Sequence, residues 1–213
     1  MFRKIILLVT VIVAALQLSA QKEYTAQDVF KEKNIVWYGL DFTHSKFIGS
    51  LIMNGKEPSD IVNIYFRDWN ILPAKEQNKY DLKGVFDKEY VYYDIENMIE
   101  KNRRYNSDSL ISSNSTYRLN MADIPAMVST YSGVAKEGIG VAYIVESFNN
   151  YTNMASFFVV VFDIATKKIL FEENITSMAH GVTLKNFWAG AFFEALEKNH
   201  KIYRKWKKAT KVR

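Results

Sequence analysis

The chain has 213 residues, a formal net charge of +5 at pH 7 and no cysteine. The absence of cysteine excludes disulfide bonds and thiol catalysis, so the stability of the chain must come from a packed core. It also leaves no residue for N-terminal lipidation, and a bacterial lipoprotein is therefore not expected.

Residues 1–20 have the order of a secretory signal peptide: a basic start, an apolar run over 5–16, and the small residues Ser19 and Ala20. A run of about 12 apolar residues is too short for a bilayer core, which needs about 20. We therefore predict export, with cleavage near Ala20 and a periplasmic or secreted location. The remainder, 21–213, is long enough to bury one core and is predicted to form a single domain.

The first part of this domain predicts a helix, a strand and a second helix. Thr25 can cap a short helix in TAQDVFKEKN. The segment IVWYGLDF, residues 35–42, is rich in β-branched and aromatic residues, as strands are. Farther along, Pro58 opens a stretch with apolar residues at helical spacing. Pro73 is expected to end that helix or to lie in the following turn.

The middle of the chain predicts short elements. YVYY, residues 90–93, is interpreted as a short strand, and DIENMIEKNRRY after it as a helix. The stretch 105–117 is rich in Ser and Asn, which indicates a surface loop. ADIPAMVSTYSG, with Pro125 in its first turn, predicts another short helix.

The C-terminal third predicts three strands and a long helix. IGVAYIVESF, MASFFVVVFDI and KKILFEENITSM are apolar segments joined by short loops, which favour hairpins and an antiparallel meander. Residues 157–162 are apolar on both sides, so this strand is expected to be covered on both faces. From Thr183 onward apolar residues recur every three or four positions, which predicts a long amphipathic helix. The predicted fold class is α+β, with an antiparallel-dominated sheet that ends in the meander and is covered by helices.

Few residues suggest catalysis. The chain has three histidines, no G-x-S-x-G motif and no metal-binding or phosphate-loop spacing, so neither a metal nor a cofactor is predicted. One alternative is a small hydrolase or lyase. Asp41 and His44 follow the first predicted strand and His180 follows the last, so adjacent strand ends would bring the three together. Strand-end Asp and His residues more often satisfy turns, which favours a protein without catalytic activity.

The C-terminal end, 198–213, holds eight basic residues and no acidic one. Basic and aromatic residues together suit an anionic membrane or polysaccharide surface. The predicted binding surface consists of Lys201, Arg204, Trp206, Lys207 and Lys208. The favoured interpretation of this segment is nevertheless that the apolar residues continue onto the core while the lysines form a solvated face. Nucleic acid is not an expected partner, because an exported protein rarely meets it and no binding motif is present.

One candidate modification site lies in the Ser-rich loop. Asp108, Ser109 and Leu110 match the D-[ST]-aliphatic pattern at which Bacteroidota attach O-linked glycans. We predict Ser109 as the acceptor, because the loop around it should be exposed.

Three longer stretches carry a resemblance: WYGLDFTHSKFIG, NKYDLKGVFDKEYVYYDIENMIEKN and FFVVVFDIATKKILFEENITSMAHGVTLKNFWAGAFFEAL. Together they resemble an uncharacterised family of exported Bacteroidota proteins. More loosely, the β-α opening and the meander closed by a helix are similar to small envelope helper domains of the penicillin-binding-protein activator and curli-secretion type. Those domains bind partner proteins and are not enzymes. The resemblance implies a non-enzymatic binding or interaction module with an envelope protein or glycan as its partner.

Overall fold

The structure, a computed structural model, describes residues 22–49 and 56–210, and the predicted signal peptide lies outside the described residues. The strands in these ranges are β1 Asn34–Asp41, β2 Lys46–Ile48, β3 Tyr90–Tyr93, β4 Ile111–Ser112, β5 Ile139–Asn149, β6 Met154–Asp163 and β7 Ile169–Met178. The helices are α1 Asp28–Lys31, α2 Pro58–Asp60, α3 Phe66–Lys75, α4 Leu82–Phe86, α5 Glu96–Arg103, α6 Ile124–Ser129 and α7 Leu184–Thr210.

The helix predicted after Pro58 is longer than expected. A π-helical segment, Ile61–Tyr65, joins α2 to α3 without a break. Pro73 lies inside α3, two positions before its last residue, instead of ending the helix. A proline this close to the end removes only one backbone hydrogen bond, which the buried face of α3 can offset.

All described strands belong to one mixed sheet centred on β5. On one side β5 pairs in parallel first with β1 and then, farther along, with β2. The outer strands are β3, which pairs in parallel with β1, and β4, which pairs in parallel with β2. On the other side β6 and β7 continue the sheet in antiparallel fashion. Four of the six strand pairings in the described ranges are therefore parallel, and the predicted α+β class with an antiparallel-dominated sheet is wrong. The fold is mixed α/β.

The connections between strands explain this correction. The connection from β1 to β3 contains β2 and several helices, and the connection from β3 to β5 contains β4 and two helices. Crossovers of this length return the chain to the same end of the sheet, where the next strand pairs in parallel. Among the strands in the described ranges, only β5–β6 and β6–β7 are joined by short hairpins. The meander and the long C-terminal helix lie where the sequence placed them.

The central strand β6 is covered on both faces. Val159 and Val161 contact an apolar layer to which α7 contributes, and Phe158 and Val160 contact the opposite layer, built from residues of α6 and its neighbours. All four side chains are buried. Alternation along a strand sends successive side chains to opposite faces, so a continuous apolar run is stable only between two layers.

Two buried asparagines hold the end of β1. The pairing of β1 with β5 shifts register at Gly39, whose φ of +102° lies in the region that favours glycine. Asn70 of α3 bonds through its amide to both the N–H and the carbonyl of Leu40. Asn102 of α5 accepts a hydrogen bond from the N–H of Phe42 and donates one to the Leu40 carbonyl. These bonds tie both helices to the strand end.

Helix α7 packs along the sheet for most of its 27 residues. Its buried residues recur on one face, from Leu184 through Trp188 and Phe192 to Tyr203. Near its end Trp206 stacks on Phe171 of β7, with ring centroids 4.8 Å apart. No helix within 22–49 and 56–210 combines the length and the apolar character required to cross a membrane.

Two valine substitutions test the burial of β6. Val159→Ala should lower the free energy of unfolding by about 2 kcal/mol, because it removes two buried methyl groups and leaves a cavity. Val182→Ala removes the same atoms from a side chain that is 92% exposed and should change this free energy by less than about 0.5 kcal/mol. Urea unfolding measures both values. Equal effects of the two substitutions would contradict the buried position of β6.

Candidate functional site

Asp41, the last residue of β1, is fully buried, and its carboxylate is already bonded on both oxygens. Its Oδ1 accepts hydrogen bonds from the N–H and the hydroxyl of Thr43 at 2.9 and 2.6 Å. Its Oδ2 accepts one from Lys101 Nζ at 2.8 Å. The carboxylate is therefore bound by the turn after β1 and by α5.

The two predicted histidines lie in different surroundings. His44 is exposed in the turn between β1 and β2, where its carbonyl accepts a hydrogen bond from the Tyr117 hydroxyl. His180 is exposed just after β7. Its backbone packs closely on α7, since a Cβ added at Gly190 would lie 2.3 Å from the His180 carbonyl oxygen.

The sheet order separates these residues. Strands β5 and β6 lie between β1 and β7, and three steps of about 4.8 Å put about 14 Å between the outer two. His180 also packs on α7. Asp41 lies near Tyr131 instead, since burial and then the Asp41 charge raise the pKa of Tyr131, and Tyr131 belongs to the apolar layer on the opposite face of the sheet. The structure therefore does not bring Asp41, His44 and His180 together.

The predicted basic surface lies on the last turns of α7 and divides into two parts. Arg204, Lys207 and Lys208 line a cavity of about 640 Å³. Lys201 is exposed outside this lining, and Trp206 is half-buried against the sheet through its stack on Phe171. The apolar side of the helix thus continues onto the core while three of its cations face one concave surface.

This basic cavity lies between α7 and the residues that end α4. Its other lining residues are Gly84, Asp87, His200 and Tyr203. Asp87 ends α4 with a φ of +51°, a conformation that Asp tolerates better than most residues, and its carboxylate pairs with Lys207. That hydrogen bond lowers the pKa of Asp87. Within the described part of the chain Arg204 and Lys208 have no ion pair, so the cavity carries an excess of positive charge.

A buried lysine lies next to this cavity. Lys88 is only 8% exposed, and its Nζ donates hydrogen bonds to the carbonyls of Val29 and Glu32. Burial lowers the pKa of Lys88 to about 8, and the neighbouring Asp87 charge partly opposes this shift. The charge of Lys207 acts in the same direction as burial. The pKa of Lys88 therefore depends on the charges of the residues that line the basic cavity.

Sequence reasoning identified the cations on α7 and missed the residues opposite them. Asp87 precedes Lys207 by 120 residues in the chain, so their contact exists only in the folded protein. The charged run KGVFDKE marks that region in the sequence, but it does not indicate which helix lies against it.

The predicted glycosylation site lies in a 3₁₀ turn. Ser109 is exposed and its hydroxyl donates a hydrogen bond to the Asn106 carbonyl at 2.8 Å. The Ser109 carbonyl accepts a hydrogen bond from Lys46, and Leu110 is buried, so the backbone of the turn is fixed. Modification of Ser109 stays a prediction.

The chain matches no protein-family model, and no curated protein matches it. Three solved structures show partial similarity. They are the LpoB C-terminal domain from Salmonella enterica (9% identity, 76% of this chain and 90% of that chain, TM-score 0.30), lipoprotein GNA1162 from Neisseria meningitidis (10%, 78% and 95%, 0.32) and hypothetical protein CT253 from Chlamydia trachomatis (12%, 81% and 94%, 0.30). At TM-scores this low the similarity carries no argument about function.

Lys88 should make the stability of this region depend on pH. Its pKa is 10.5 in the unfolded chain and about 8 in the folded protein, so its stabilising contribution is present above pH 10.5 and is lost as the pH falls through about 8. The free energy of unfolding of the wild type minus that of Lys88→Met should therefore rise between pH 8 and 10.5. Urea unfolding over this range measures the difference. A difference that does not change with pH over this range would contradict the burial of the Lys88 charge.

Proposed function

We propose that this protein is an exported, non-enzymatic binding module of the cell envelope that binds an anionic glycan through the basic cavity of α7. The observation that carries the proposal is the pair Arg204 and Lys208, which line the cavity without an ion pair in the described ranges. Unpaired cations in a concave surface attract an anion, and walls of low dielectric constant strengthen that attraction.

The anchoring of α7 supports a rigid site. Tyr203 is buried directly beneath the cavity, with its hydroxyl 3.3 Å from the Val29 carbonyl oxygen, and Trp206 is held by Phe171. Because packing fixes the helix, its backbone does not have to become ordered when Arg204 and Lys208 bind a ligand. Such preorganisation reduces the free-energy cost of association.

The same anchoring favours a glycan over a bilayer. Helices that bind membrane surfaces insert exposed aromatic and aliphatic side chains between the lipids. Here Tyr203 is buried and Trp206 is half-buried on the sheet, so the aromatic residues of this segment are engaged in the fold. What remains exposed is positive charge, which suits the carboxylate or phosphate groups of an anionic polysaccharide.

A charge-reversal pair tests this proposal. The double substitution Arg204→Glu and Lys208→Glu should weaken binding to polygalacturonate by at least about tenfold, because each lost charge-assisted contact costs about 1.5–3 kcal/mol. The matched control, Lys75→Glu with Arg118→Glu, makes the same change in net charge at two exposed positions outside the cavity lining. It should keep Kd within about twofold. Biolayer interferometry with the processed chain measures Kd for all three proteins, with dextran as the neutral polymer.

Two further measurements distinguish a glycan from a membrane as the binding partner. Wild-type binding should weaken when the ionic strength rises from about 0.05 to 0.3 M, because salt screens exposed charges. Vesicles of phosphatidylglycerol and phosphatidylethanolamine form the second arm. Binding to vesicles but not to polygalacturonate would replace the glycan by a membrane, and equal losses in the two double variants would show that only net charge matters.

A further inference from the structure

The outer strands of the sheet in the described ranges are β3, β4 and β7, and two of them are protected against pairing with a further strand. An unpaired strand edge attracts other strands, and proteins block it with short strands, charged residues or covering elements. Strand β4 has only two residues. Along β7, Glu194 of α7 accepts a hydrogen bond from the N–H of Met178, and Lys198 donates one to the carbonyl of Thr176. Helix α7 therefore covers part of the β7 edge.

Strand β3 lacks this protection. The N–H groups of Tyr90 and Asp94 donate to carbonyl groups on β1 and just before it. Because backbone groups alternate in direction along a strand, the N–H and carbonyl groups of Val91 and Tyr93 point away from β1. No residue in 22–49 or 56–210 bonds to these outward groups. The four residues of β3 also carry no charge, so nothing in this strand repels a further strand.

One face of β3 is aromatic and open to solvent. The side chains of Tyr90 and Tyr92 are 56% and 57% exposed, whereas Val91 and Tyr93 point to the other face and pack on the core. Val134, which is 85% exposed, borders the same cavity as Tyr92. Exposed apolar side chains grouped in this way mark an interaction surface.

The cavity beside Tyr92 has a volume of about 470 Å³ and is acidic. Three carboxylates line it, those of Glu32, Asp94 and Glu137, and none of the described residues that line it is a lysine or an arginine. One of them, Glu32, pairs with the ammonium group of Lys22, which also lies 4.3 Å from the ring centroid of Tyr24. The rim of this cavity thus already binds one lysine of the chain through a carboxylate and a tyrosine ring.

A second cation has room on the opposite part of the rim. Glu137 is exposed and has no ion pair within the described ranges. Asp94 also lacks an ion pair there, but one of its oxygens accepts backbone hydrogen bonds from the segment after α6. Lys83 lies 6.0 Å from the ring centroid of Tyr90, so a further cation is favoured beside Tyr92 and Glu137.

We propose that β3 binds an extended, basic segment of a partner protein, which adds a strand to the sheet and places lysine or arginine side chains beside Tyr92 and Glu137. Such a strand satisfies the outward backbone groups of Val91 and Tyr93. Because β3 offers few of these groups, the backbone alone binds weakly. The tyrosine ring and the carboxylate add affinity and select a cation. The inference does not depend on the glycan proposed for α7.

Titration of the processed chain with a short acetylated peptide in which lysine and valine alternate tests this surface. Tyr92→Ala should weaken binding by about fivefold, because it removes the ring, and Glu137→Gln by about threefold, because it removes an exposed charge. Tyr151→Ala and Glu173→Gln change exposed residues outside this surface and should leave Kd unchanged. A peptide in which glutamate and valine alternate should bind at least about tenfold more weakly than the lysine peptide.

Amide hydrogen exchange of the wild type shows whether a strand is added. The amides of Val91 and Tyr93 should exchange rapidly in the free protein and at least about tenfold more slowly when the lysine peptide is saturating. Only alternate residues of an added strand point their N–H groups toward β3. N-methylation of one set of peptide residues, either the valines or the lysines, should therefore abolish binding, and N-methylation of the other set should not.

Three results would overturn strand addition: slow exchange of the Val91 and Tyr93 amides in the free protein, exchange that the peptide leaves unchanged, or equal effects of the two N-methylated peptides. Equal binding of the lysine and glutamate peptides would overturn the choice of a basic partner. Losses in Tyr151→Ala and Glu173→Gln as large as those in Tyr92→Ala and Glu137→Gln would overturn the placement of the cation.

Discussion

The apolar character of β5 and β6 on both faces determines the layout of this protein. Exposing a side chain such as Val160 or Phe158 to water costs about 1.5–3 kcal/mol, and the strands carry several on each side. Both faces must therefore be covered, by α7 on one side and by α6 and its neighbours on the other. The basic cavity follows from this arrangement, because it lies where the last turns of the covering helix α7 meet the residues that end α4.

The asparagine bonds at the end of β1 connect this frame to the buried ion pair of Asp41 and Lys101. Asn70 and Asn102 supply the hydrogen bonds that the backbone of Leu40 and Phe42 would otherwise lack in a buried position. The residue next to Asn102 is Lys101, which is thereby held beside the buried Asp41. A buried carboxylate requires such a partner, since an uncompensated charge in the interior is strongly destabilising. Two amides thus help to set the position of an ion pair.

The sequence predicted those features that depend on neighbouring residues. Short loops identified the β5–β7 meander, and the periodic apolar residues from Leu184 to Tyr203 identified α7. The parallel pairing of β1 with β3 and β5 was missed because strand order depends on contacts between distant segments, although the helices predicted between these strands were a signal for crossovers. The same limit applies to the basic cavity: Arg204 and Lys208 stand out by charge, whereas Asp87 lines the cavity only because α4 folds beside α7.

Helix α7 has a side that packs on the sheet and a side that carries positive charge. Tyr203 and Trp206 face the core, where their packing fixes the helix axis, and they tolerate little change in size. Arg204 and Lys208 alternate with them and face solvent, where substitution removes charge but little packing. Because the helical period keeps the two sets apart, the charge of the basic cavity can change while the sheet stays covered. Substitutions at the proposed binding surface of α7 should therefore change its charge without a large change in the stability of the fold.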